Sequence, residues 1–241
     1  MRRAWLAFGA MVALCVALGW YLHPADLPLS IPTQSLAFGL LYPQRAQGAV
    51  TAPVVLQALA QLAPTAIRDR TESQLLHELS AQAEQVEFGF TLEQVIVQRS
   101  PRETVVDGCR LPGRSILQLR GMPHGYLIVH CAPVASMLTN AARRRWLDAG
   151  IVAAGQPAIA CTITVGETEA PRQLAVTFAF EYRTGEAAEA ALKLLLARPS
   201  NLNALAFTAH PGTERVTRQT KLLVIRFDLD AELAIQGLRR R

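Results

Sequence analysis

An α+β domain behind an N-terminal membrane anchor is the fold class this sequence predicts, on three observations. Residues Ala4 to Leu22 form one uncharged run, AWLAFGAMVALCVALGWYL. Two-residue alternation marks strands in the C-terminal portion, where Leu174, Val176, Phe178, Phe180 and Tyr182 point one way. A helix-strand-strand order at 72–131 recurs at 186–229 as a weak internal repeat. Two such units make a ferredoxin-like antiparallel sheet with helices on one face, which is the expected architecture.

The apolar run has 19 residues. At ~1.5 Å per residue it covers about 28 Å, close to the hydrocarbon thickness of a bilayer. Trp5 stands near one end and Trp20-Tyr21 at the other, where amphipathic rings meet the headgroups. A cleaved secretory signal is the alternative. Its n-region fits, but the run exceeds the ~7–15 residues of an h-region. No small-x-small site follows, since the chain continues Tyr21-Leu22-His23-Pro24. Lipidation at Cys15 is disfavoured by the bulky Leu14 before it. Arg2 and Arg3 precede the span and Asp26 is the first charge after it, so the positive-inside bias places the rest outside the cytoplasm. In a bacterium this is a single-pass inner-membrane protein with a periplasmic C-terminal domain.

The net charge of +5 sits at the two ends, in Arg2-Arg3 and Arg239-Arg240-Arg241. Without those five, 19 Lys and Arg face 19 Asp and Glu. A neutral domain with 6% aromatic residues lacks the basic, stacking surface of a nucleic-acid binder, so no nucleic-acid partner is expected. The internal run Arg143-Arg144-Arg145 reads as a solvated helix face. Of the cysteines beyond the span, Cys131 and Cys161 fall in alternating apolar sets, and Cys109 follows the turn signal Asp107-Gly108. An oxidising compartment permits one disulfide, expected between Cys109 and Cys131, with Cys161 buried and inert.

Five prolines between Pro24 and Pro53 predict a stalk, so the domain plan is 1–23 anchor, 24–70 stalk and short helix, and 71–241 folded domain, divisible at 150. The short helix runs from Pro53 to Leu62. Thr71-Glu72-Ser73-Gln74 gives a capping-box signature for a helix to Val86. Strands follow at 92–98, 116–120 and 126–131, then a helix over 134–149. Strands at 158–165 and 173–182, a helix at 186–198, and strands at 203–208 and 221–229 complete the domain.

The segment Phe180-Glu181-Tyr182, the helix 186–198, Leu202-Asn203-Ala204-Leu205-Ala206-Phe207 and the strand 222–229 together resemble a known pattern. It is that of the small bitopic inner-membrane proteins of type IV pilus and type II secretion machines, the PilO and GspM kind. The resemblance implies a non-catalytic scaffold whose periplasmic domain pairs with a second copy or with a similar membrane-anchored protein. The other components of the envelope machine are its further partners. The chain departs from that family in carrying prolines where a charged coiled coil would follow the span.

No nucleophile elbow, phosphate loop, dinucleotide fingerprint or zinc-protease motif is present, so no catalytic residue, cofactor or metal is expected. His124, His130 and Asp107 are the candidates for the alternative, an anchored periplasmic enzyme or ligand-binding domain. His124 lies in a turn and His130 beside Cys131 in a strand, a poor arrangement for metal ligands. Asp228 and Asp230 share a polar strand end near Arg226. Leu222 and Val224 occupy the nominally outer face of the last strand, next to Arg226, so either the rest of the domain or a second subunit covers them.

Overall fold

Among the described residues, the expected ferredoxin-like sheet is replaced by a sheet of eight strands. The computed structural model describes residues 25–60, 63–99, 108–122, 124–131, 158–168, 173–197 and 215–230. Their strands are β1 (Leu27–Pro32), β2 (Ala37–Leu41), β3 (Val86–Phe90), β4 (Val95–Arg99), β5 (Gly108–Leu111), β6 (Gly125–Cys131), β7 (Ala160–Glu167), β8 (Gln173–Glu181), β9 (Arg215–Gln219) and β10 (Leu222–Asp230). The large sheet runs β4-β3-β2-β6-β7-β8-β10-β9, and every neighbouring pair is antiparallel. β1 and β5 form a separate two-stranded ribbon.

The ferredoxin-like α+β expectation is therefore corrected: the fold is dominated by one continuous antiparallel sheet. Two half-sheets of four strands meet where β6 pairs with β7. The stretch expected to be a stalk supplies β1 and β2, and β2 is central, hydrogen-bonded to both β3 and β6. All five of its residues are buried. A strand covered on both faces reads as a short apolar run with no alternation, so Ala37-Phe38-Gly39-Leu40-Leu41 carries no period-two signal. Gly39 is needed there, because a Cβ would collide with the Ile128 carbonyl and crowd the Phe88 ring.

One face of the sheet carries most of the helices. These are α1 (Pro43–Gln47), α2 (Ala52–Ala60), α3 (Arg68–Leu79) and α5 (Gly185–Ala197). Ala46, Leu56 and Leu75 from the first group join Ala188, Ala191 and Leu195 of α5 in one core with Phe88, Val129, Phe178, Phe180 and Ile225. Over the opposite face lie the β1–β5 ribbon and α4 (Gly113–Arg120), whose Leu29, Ile31, Leu111 and Leu119 pack on Phe38, Leu40 and Ile128.

Local chemistry explains the other differences. Residues 116–120, expected as a strand, belong to α4, where Ser115 and Leu119 are buried at helical spacing. Thr71 does not cap a helix: it lies inside α3 and its Oγ1 donates to the Ile67 carbonyl. α3 stops at Leu79, and Val86 opens β3 instead of closing the helix. The span 1–23, the helix at 134–149 and the strand at 203–208 lie outside the described residues. Among the described residues no helix is long and apolar enough to cross a membrane.

Candidate functional site

Polar chemistry collects beneath α4, which packs over β6 and β7. Register places His130, Thr162 and Ala179 in one row across β6, β7 and β8, with Ile128, Thr164 and Thr177 in the next. The Nδ1 of His130 lies 2.8 Å from Thr162 Oγ1, and its ring leans on Phe38 with centroids 5.1 Å apart. Burial holds the His130 pKa below the ordinary histidine value; Glu181 and Asp26 oppose that and Arg114 adds to it. Arg114 bridges to Glu181 at 2.9 Å, and Asp26 accepts the Gly113 N–H at the start of α4. Four buried atoms here have no partner: Arg114 Nε, Ser115 Oγ, Gln118 Oε1 and Thr164 Oγ1. A hydroxyl beside an imidazole is the first half of a nucleophile–base pair. Thr162 is 4% exposed, however, which keeps its oxygen from meeting a substrate.

His124 does not join His130. It stands exposed before β6 with φ 27°, and six residues of extended chain separate the two by about 20 Å. Around the His124 end, Thr51 Oγ1 donates to Glu167 Oε1 at 3.1 Å and Arg45 donates to the Gly125 carbonyl at 3.2 Å. Tyr126 is fully buried, and burial raises its phenol pKa beyond any physiological titration. Asp107 lies outside the described residues. Of the candidates for the enzyme alternative, the two described histidines thus stand apart.

Cys109 and Cys131 do not pair. Cys109 sits in the ribbon cluster, donates its thiol proton to the Pro32 carbonyl at 3.0 Å, and is pushed up to about 11 by burial. Cys131 belongs to the helix-side core, on the opposite face of the sheet. All three cysteines beyond the span are free and buried. Leu222 and Val224, expected to be covered either by the rest of the domain or by a second subunit, are 6% and 9% exposed and cluster with Ala179, while Arg226 is exposed. Cover within the chain removes the first two from any free surface. Glu87 was missed: at 1% exposure it accepts the Ser30 N–H at 2.6 Å, and burial raises its pKa. A single acid inside Val86-Glu87-Phe88-Gly89-Phe90 was the available signal.

The two described ends of the sheet differ. β9 shows Arg215, Thr217, Arg218 and Gln219 to solvent, and such charged edges resist strand addition. At the other end Val95, Ile96 and Val97 of β4 are half-buried, and Leu92 beside them is 70% exposed. The Thr91 N–H bonds to the Gln94 carbonyl, and the register then continues through Ile96 opposite Gly89. Alternation turns the backbone groups of Ile96 and Gln98 toward β3 and those of Val95 and Val97 away from it.

Among the described residues no group of three or more His, Cys, Asp or Glu could hold a metal ion. No protein-family model, curated protein or solved structure matches the chain.

Proposed function

We propose that this chain is a non-catalytic scaffold of a bacterial envelope machine, of the pilus or type II secretion kind, tethered by residues 4–22 to the inner membrane. Its periplasmic sheet domain works by contacts with a second copy or with a similar membrane-anchored protein. The β4 edge carries this reading: an apolar end strand with backbone groups turned outward is where a partner strand adds. The balance of 19 basic and 19 acidic residues between the charged termini fits contact through backbone and apolar groups. Topology is tested by a reporter active only outside the cytoplasm, fused after Arg241; activity is expected, and its absence contradicts the periplasmic placement. The contact is tested by a photo-crosslinking residue at position 97 or 217 of the full chain in living cells. Adducts to a second copy or to another membrane-anchored envelope protein are expected from 97 and not from 217. No such adduct from 97 overturns the β4 contact.

A further inference from the structure

Cys131 of β6 and Cys161 of β7 are direct partners across the strand pair that joins the two half-sheets. Both side chains enter the helix-side core, at 7% and 2% exposure. Ala37 and Phe180 flank them in the same row. Opposed residues of an antiparallel pair hold their Cα atoms about 4.5–5.5 Å apart. A disulfide accepts about 4.4–6.8 Å between Cα atoms, so the spacing of an opposed pair falls within its range. Both are thiols in this structure.

The geometry points to a Cys131–Cys161 disulfide that forms when the chain folds in an oxidising compartment and locks β6 to β7. This inference takes its oxidising compartment from the periplasmic placement proposed above and is independent of which partner β4 meets. Cys109 is excluded from the pair because it lies in the ribbon on the other face.

The order of events follows from burial. In the folded domain Cys131 is pushed up to about 12, and Cys161, with the Cys131 sulfur beside it, well above the ordinary thiol value. The thiolate is the attacking species, so the folded, reduced pair is inert and the bond must form before the core closes. The oxidant is of the disulfide class, RSSR. One cysteine thiolate attacks it and expels RS⁻; the second attacks the mixed disulfide and expels another RS⁻. Two S–H bonds are lost and one S–S bond forms in the chain. The two electrons and two protons end on two RSH.

The test uses the full-length chain in detergent, unfolded with reductant and refolded in oxidised and reduced glutathione. Free thiols are then capped with N-ethylmaleimide under denaturing conditions and the peptides are mapped by mass spectrometry. The expected result is a Cys131 peptide linked to a Cys161 peptide, with Cys109 capped. The same glutathione mixture added to chain already folded in reductant is expected to leave all cysteines beyond the span capped. Capping of both Cys131 and Cys161 after oxidative refolding, or linkage through Cys109, overturns the pairing. Equal linkage in the prefolded chain overturns the proposed order.

Discussion

Glu87 carries its carboxyl at 1% exposure under the β1–β5 ribbon, held by the backbone N–H and the side chain of Ser30. Its folded pKa is raised, so between the ordinary carboxyl value and the folded value the native state binds more protons than the unfolded chain. Stability from this group is present at acid pH and falls as pH rises through that window. Glu87→Gln keeps an acceptor for Ser30 and removes the buried charge. We expect the variant's melting temperature to gain on the wild type as pH rises from about 4 to 8, read by thermal unfolding across the series. An unchanged difference would show that Glu87 does not titrate with folding. His130 works with the opposite sign. Its depressed pKa makes the unfolded chain bind the extra proton, so its contribution is present above the ordinary histidine value and lost as pH falls. Nitrogen-15 spectra of His130 should show a ring that is more than half neutral at about pH 6.5, where a free imidazole is half charged.

Elements differ in how openly the chain announces them. β8, α5 and β10 are legible because one face of each is apolar at the right period, as in Leu223, Ile225, Phe227 and Leu229. β2 and β3 are hidden because both faces are covered, and β1 because its proline-bearing sequence suggests a stalk. The polar row through His130 and Thr162 was half legible: the histidine was noticed, but its partner comes from a strand 32 residues away that only the register brings alongside. β9 escaped notice because its hairpin turn uses Thr220 instead of glycine. Thr220 has φ 52°, costly for a β-branched residue. Thr220→Gly is expected to stabilise the domain by about 0.5–1 kcal/mol after the entropy of glycine in the unfolded chain is counted. A lowered denaturant midpoint would show that the turn is not strained. Arg99 ties β4 to α3 by a two-pronged pair with Glu78, at 2.7 and 3.0 Å. Arg99→Ala leaves the Glu78 carboxyl at 6% exposure without its cation and should lower the denaturant midpoint, checked by the same unfolding measurement.

At the scale of the whole molecule, the β6–β7 pair makes one sheet out of two halves, and the sheet's length fixes where a partner can bind. Its middle is covered by helices on one side and by the ribbon and α4 on the other. One described end is blunted by Arg215 and Arg218, and the other presents the half-buried valines of β4. Val97→Pro deletes an outward N–H while leaving the bonds between β3 and β4 in place, so partner contact should fall with little change in folding. The most direct measurement is amide hydrogen exchange along β4, comparing the full chain purified in detergent with the chain in native membranes. The account predicts that Ile96 and Gln98 are protected in both, while Val95 and Val97 exchange quickly in detergent and slowly in the assembled state. Fast exchange of Val95 and Val97 in both states would contradict the claim that this edge joins a partner.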